Sequence, residues 1–208
     1  MRRAVFLDRD GVLTRLVRRG GRRVSPRTLR KFAVLPAARP AVCALRRAGW
    51  LAIVVTNQPD VARGTLTPAT LERMHRRLRR AVPVNAIYAC PHDDADGCDC
   101  RKPKAGLLRQ ASGEWSIGLR ESFFVGDCWK DIAAGRAAGC TTILVGDAEC
   151  PPDVRANFVL RDVAAAAELI LTGMVGAQEK ELLAVRVTEP RRLKRSPPPR
   201  DRGLRKSK

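Results

Sequence analysis

Asp8 and Asp10 stand two residues apart at the end of the apolar run Ala4-Val5-Phe6-Leu7. Two carboxylates so placed can transfer a phosphoryl group: one attacks phosphorus, the other moves a proton, and a shared divalent cation offsets their repulsion. An ordinary strand end running into an Asp-Gly turn would look the same, so the pair alone leaves both readings open.

Three further polar clusters lie at other element ends. Leu51 to Val55 runs into Thr56-Asn57-Gln58, a hydroxyl and two amides suited to phosphate oxygens. Phe123 to Val125 runs into Gly126-Asp127, with Asp131 four residues on, which adds oxygen ligands for a hard cation such as Mg²⁺. Arg101-Lys102-Pro103 brings compact positive charge to a helix start. Each has an everyday structural explanation, but four of them in one short domain favour a phosphoryl site.

A fifth constellation is Cys90-Pro91-His92, then Cys98-Asp99-Cys100. Three thiolates and an imidazole at this spacing can close a tetrahedral Zn²⁺ site, and four protein ligands make such a site structural. The loop delivers Arg101 and Lys102 directly after its last ligand, so zinc is expected to hold those cations in place.

The elements that must position these groups alternate. Apolar runs at Ala4 to Leu7, Leu51 to Val55, Val84 to Ala89, Phe123 to Val125, Thr142 to Val145 and Phe158 to Leu160 read as strands. Helical patterns lie between them, at Ala37 to Ala48, Pro68 to Ala81 behind a Thr67 cap, Lys104 to Ser112 and Ile132 to Ala138, with a closing helix from Asp162 to Leu171. The expected fold is α/β, a Rossmann-like doubly wound parallel sheet with right-handed crossovers and an inserted zinc-binding loop. The 45 residues between Asp10 and Thr56 must include a loop and a full helix, which makes the domain capless.

The domain is expected over 1–175, followed by a basic tail over 176–208. From Arg191 to Lys208 there are nine basic residues and one acidic, and Ser196-Pro197-Pro198-Pro199 with few apolar side chains reads as disordered. Such a tail can make nonspecific contact with polyanions. A net charge of +19 raises a second reading, a zinc-containing nucleic-acid module, but aromatic residues at 4% leave no basic-aromatic interleaving to support it. A degenerate, inactive domain is a third. No signal-peptide core follows Met1, no apolar run approaches the roughly 18 residues of a membrane span, and the seven cysteines are an odd number. A cytoplasmic monomer without membrane contact is expected, with Cys43 and Cys140 as core fillers.

DRDGV, VVTNQ, CRKP and VGDCWKD resemble, in order, the four motifs of the haloacid dehalogenase superfamily of phosphatases, over about Ala4 to Leu171. The resemblance implies that Asp8 forms an aspartyl-phosphate, that Asp10 is the general acid/base and that Thr56 and Lys102 hold the phosphate. It implies that Asp127 binds Mg²⁺ beside Asp8 and the backbone carbonyl of Asp10, with Asp131 a ligand or an orienter of the site. TNQPDVARG over Thr56 to Gly64 is similar to the zinc-loop branch that acts on heptose 1,7-bisphosphates, related to the branch acting on histidinol phosphate. That likeness implies a small phosphorylated sugar as substrate, with Asn57 and Gln58 among its contacts and Arg63, Arg101 and Lys130 as cations for a second phosphate. Pro59-Asp60 and Cys128 depart from the branch, which has Ser-Gly and often Lys there.

Overall fold

Ala4 to Leu7 is buried on both faces, which is why it is continuously apolar rather than alternating. In the computed structural model, which describes residues 1–173, this run is the central strand β1 (Ala4–Leu7) of a parallel sheet. The order is β5-β4-β1-β6-β7-β8, from β4 (Leu51–Asn57), β5 (Ala86–Cys90), β6 (Phe123–Gly126), β7 (Thr141–Val145) and β8 (Phe158–Leu160). The tail from 176 and the boundary at 175 lie outside the described residues.

Side-chain alternation along β1 assigns the two layers. Val5 and Leu7 enter one core with α1 (Ala38–Arg47), α2 (Pro68–Ala81) and α5 (Val163–Thr172). Ala4 and Phe6 enter the other, with α3 (Gly106–Trp115) and α4 (Trp129–Ala138). Each fully buried Leu or Phe contributes about 1.5–3 kcal/mol. The Thr67 hydroxyl accepts from the Thr70 N–H with Pro68 at the first helical position, as the sequence predicts. Asp162 caps α5 the same way.

Two helix boundaries differ from the sequence expectation. The fourth helix begins at Trp129 rather than Ile132, because Asp131 reaches back to the Cys128 N–H and closes a capping box. The third begins at Gly106 rather than Lys104 and runs on to Trp115. Cys140 is buried as expected, while Cys43 is only half-buried.

One hairpin was not anticipated in the 45-residue connection: β2 (Val17–Arg19) and β3 (Arg22–Val24), antiparallel around Gly20-Gly21. Both glycines have positive φ, +55° and +75°, the tight turn whose twist suits a hairpin. Two strands of three residues are no cap domain, but they bring Arg23, Val24 and Ser25 to the rim of the site.

Strand order reverses at β1, with β4 on one side and β6 on the other, so a crevice opens beyond the carboxyl ends of these three strands. The residues that follow them meet there.

Candidate active site

A cleft of about 250 Å³ lies at this reversal, lined among others by Asp8, Asp10, Thr56, Lys102, Asp127 and Asp131. Asp8 follows β1 directly, its N–H still bonded to Val125 O at 2.9 Å, and its Oδ1 accepts from Lys102 Nζ at 2.7 Å. Lys102 Nζ also donates to Val55 O at 2.8 Å and pairs with Asp131. Gly11 has φ +94°, and a Cβ there would fall 2.0 Å from Asp127 Oδ2, so only glycine lets Asp127 come this close to the turn after Asp10.

Crowded, buried carboxylates resist ionisation. Burial, opposed by Lys102 and reinforced by Asp131 and Asp10, raises Asp8 to about 7, and burial with Asp8 and Asp131 raises Asp127 to about 8. Lys102 is pushed up despite burial, by Asp131 and Asp8, and stays charged. Lys102 offsets only part of this crowding, as both carboxyls stay raised, and the oxygen donors of Asp8 and Asp127 fit Mg²⁺. Asp131 is already committed: its Oδ2 accepts from the N–H groups of Asp127 and Cys128, each at 3.2 Å, and from Cys128 Sγ at 3.1 Å. It orients the Asp127 loop and Lys102.

Asp10 is held by four donors. Arg9 Nε and Thr14 Oγ1 reach its Oδ1 at 3.1 and 2.7 Å; Arg9 Nη2 and Gln58 Nε2 reach its Oδ2 at 2.7 and 2.9 Å. A carboxylate offers about four acceptor sites, so all are filled. Burial alone would raise this carboxyl, but Arg9, Gln58 and Thr14 outweigh it and hold Asp10 below the usual range.

Thr56, the last residue but one of β4, lines the cleft, and Gln58 Nε2 donates to its Oγ1 at 2.9 Å. Gln58 is buried and turned onto Thr56 and Asp10 rather than toward open space. Asn57 spends both ends of its amide on the Lys102 backbone. Gln58 has both amide hydrogens committed, whereas the Thr56 hydroxyl hydrogen has no acceptor among the described residues.

The Cys/His loop forms one cluster. Cys90 Sγ lies 3.6 Å from Cys98 Sγ, 3.2 Å from Cys100 Sγ and 3.6 Å from His92 Nδ1; Cys98 and Cys100 are 3.4 Å apart, and His92 Nδ1 is 3.2 Å from Cys100 Sγ. These are near the edges of a tetrahedron about a Zn²⁺ with bonds of about 2.0–2.3 Å. All seven cysteines are free thiols, so no disulfide competes. The four donors fit zinc.

Arg101 and Lys130 line the cleft and Arg63 lies outside its lining, joined to them through Asp93; all three are held by acids not singled out in the sequence. Arg63 forks onto Asp93 at 2.6 Å twice, Arg101 forks onto Asp94 and donates to His92 O, and Lys130 reaches Asp94 at 3.2 Å. Both aspartates belong to the Cys/His loop. Asp60, a departure from the heptose branch, is gripped by Arg27 at 2.7 and 2.8 Å and by Thr65, which ties the loop after β4 to the segment before α1. Cys128, the other departure, donates to Asp131.

Arg9, Thr14 and His75 were also missed. His75 is one of only two histidines, and it falls on the apolar stripe of α2 with Leu71, Met74 and Leu78. A histidine on such a stripe is a signal, though it names no partner.

A Rossmann-like sheet with aspartates after two adjacent strands, a threonine near the end of a third and a lysine against the first aspartate defines a class of phosphoryl-transfer hydrolases. The chain belongs to the haloacid dehalogenase-like hydrolase family. Residues 99–169 match the family model described as HAD-hyrolase-like. The D-glycero-beta-D-manno-heptose-1,7-bisphosphate 7-phosphatase of Pseudomonas aeruginosa is 41% identical over 149 residues, 69% of this chain and 81% of the relative. That of Bordetella bronchiseptica is 34% identical over 146 residues, 68% and 79%. Among solved structures, D,D-heptose 1,7-bisphosphate phosphatase from B. bronchiseptica, complexed with magnesium and phosphate, superposes with TM-score 0.69 at 32% identity over 83% of this chain and 99% of the other. The Burkholderia thailandensis enzyme gives 0.57 at 25% identity, over 83% and 99%.

Proposed function

We propose that this chain is a Mg²⁺-dependent phosphomonoesterase working through an aspartyl-phosphate, and that it removes the 7-phosphate of a D-glycero-D-manno-heptose 1,7-bisphosphate. The observation that carries the reading is the Lys102 Nζ contact on Asp8 Oδ1, with Asp127 and Asp10 at the same crevice. Relatives up to 41% identical, which are heptose-1,7-bisphosphate 7-phosphatases, support the choice of substrate.

Asp8 is the nucleophile. Its Oδ attacks phosphorus and the bond to the sugar oxygen breaks, while Asp10, ionised in the resting site, takes up a proton from solvent as one of its donors gives way and passes it to that oxygen. Water then attacks the aspartyl-phosphate while Asp10 takes a proton back, releasing phosphate and restoring Asp8. Thr56 Oγ1 and Lys102 Nζ hold the phosphoryl oxygens, and one of the four donors on Asp10 yields as it turns to the leaving oxygen. Mg²⁺, held by Asp8, Asp127 and the Asp10 carbonyl, neutralises charge that would otherwise repel a carboxylate attacker from a phosphate dianion. Asn57, Gln58 and Asp131 orient Lys102, Asp10 and Asp127. The second phosphate goes to Arg63, Arg101 and Lys130, which exchange Asp93 and Asp94 for it. Zinc at Cys90, His92, Cys98 and Cys100 is structural.

The free thiols suit a reducing cytoplasm. Among the described residues no helix is long and apolar enough to cross a membrane.

The test is phosphate release by the purified chain from heptose 1,7-bisphosphate, other sugar phosphates and histidinol phosphate, with and without Mg²⁺. The bisphosphate should give the highest kcat/KM, with the 7-phosphate lost. Preference for histidinol phosphate would move the substrate to the related branch; no Mg²⁺-dependent release from any ester would sink the reading.

A further inference from the structure

Arg9, between the two aspartates, has no solvent exposure, and its guanidinium is shared between two partners. Nε and Nη2 fork onto Asp10, while Nη1 lies 3.1 Å from His75 Nε2 and the group stacks over Phe32 at 5.4 Å. Arginine only donates, so His75 Nε2 must be the acceptor and the ring is neutral with its proton on Nδ1. The surroundings enforce this: burial, then the charges of Arg9 and Arg79, opposed only by Asp10, bring His75 down to about 4. His75 sits on α2, 66 residues away, and is 5% exposed.

We infer that His75 is a positioning residue for the proton-transfer step, fixing the Arg9 fork that in turn fixes the Asp10 carboxylate. A guanidinium gripped only by Asp10 could swing with it. Anchored to α2 by a third bond and packed on Phe32, it gives Asp10 a rigid partner. Gln58 is the donor free to yield, because its amide already has Thr56 Oγ1 as a second acceptor. Asp10 can then turn one oxygen toward the leaving group while the fork keeps its place. The inference rests on Asp10 being the acid/base of the proposed reaction.

The test compares wild type, His75→Leu, His75→Gln and Asp10→Asn on a sugar phosphate and on p-nitrophenyl phosphate, whose phenolate leaves without a proton. Placement errors of an ångström or less cost on the order of 10- to 100-fold in rate. His75→Leu should lower kcat on the sugar ester about 10-fold with KM within about 2-fold, less than Asp10→Asn, and should leave single-turnover phosphorylation by nitrophenyl phosphate near wild type. Glutamine can present an acceptor near the Nε2 position and should restore most of the loss. Equal loss on both esters, a loss confined to KM, no loss, a gain in kcat, or failure of glutamine to rescue a folded protein would each overturn the inference. Should His75→Leu not fold, His75→Gln against Arg9→Lys decides. Lysine keeps the charge but cannot fork, so it should show the ester-dependent loss that glutamine avoids. Activity of the wild type on both esters keeps the proposed function standing whichever way His75 falls; a wild type without turnover on either would sink that function instead.

Discussion

Asn57 clamps the backbone of Lys102 across 45 residues of sequence: its Oδ1 accepts the Lys102 N–H at 3.1 Å and its Nδ2 donates to the Lys102 carbonyl at 3.0 Å. The lysine that touches Asp8 is thus positioned by β4, a neighbour of the strand that carries Asp8. Asn57→Leu removes both bonds at similar volume and leaves two main-chain groups unpaired, a cost of about 1–3 kcal/mol each if they stay dry. We expect kcat to fall about 10- to 100-fold as Lys102 loses its place, with weaker inhibition by product phosphate. Wild-type kcat in steady-state assays of Asn57→Leu would show that Lys102 needs no such clamp.

Asp8→Asn keeps the shape of the side chain and removes the attacking oxygen anion, so turnover should drop to background while thermal unfolding stays within a few degrees of wild type. Beryllium fluoride, a phosphoryl mimic, should add to Asp8 in the wild type in the presence of Mg²⁺. An adduct on another side chain would reassign the nucleophile.

The strand ends were readable because each ends a short buried run, and DRD, Thr56 and Asp127 sit where such runs stop, while Lys102 was marked by the Arg-Lys-Pro step into a helix. Cys90 falls on the last residue of β5, so the Cys/His spacing and the strand pattern describe one feature from two sides. What stayed hidden depends on partners far apart in the chain. Nothing local says that Arg9 meets His75, or that Arg63 and Lys130 will be met by Asp93 and Asp94. Asn57 and Gln58 have the chemistry of phosphate donors, and only the register of β4 against its neighbours turns them inward. The hairpin was missed because Val-Arg-Arg and Arg-Arg-Val lack alternation, although Gly20-Gly21 between them was a turn signal.

Acid should find His75 before it finds Asp10. The folded protein keeps His75 down at about 4 against an ordinary 6.5, so between these values the unfolded chain takes up a proton that the folded one refuses. Stability therefore falls as pH drops from about 6.5 to about 4, by up to about 3 kcal/mol from this group. Asp10, held below 3.8 when folded, withdraws its own contribution only at lower pH. Asp8 and Asp127, raised to about 7 and about 8, pull the other way over the same range, so urea unfolding at pH 7 and 4.5 should show the wild type losing stability relative to His75→Leu rather than an absolute decline. The same slope in both proteins would place the acid sensitivity elsewhere.

The ion pairs at the mouth cannot hold the Cys/His loop by themselves. Arg63 and Asp93 are 45% and 27% exposed, Lys130 and Asp94 are 29% and 63%, and pairs this wet contribute about 0–1 kcal/mol. A closed four-ligand zinc can, and its loss frees the segment that carries Asp93, Asp94 and Arg101. Lys102 would keep its Asn57 clamp, so the damage should fall mainly on the cations assigned to the second phosphate. Cys98→Ser should lose about one Zn²⁺ per chain by metal analysis and lower Tm. Its kcat/KM should drop more for the heptose bisphosphate than for a heptose monophosphate. Excess Mg²⁺ should rescue none of this, because the missing charge lies at the mouth and not beside Asp8. A zinc-free preparation with full activity and unchanged preference for the bisphosphate would remove zinc from this role.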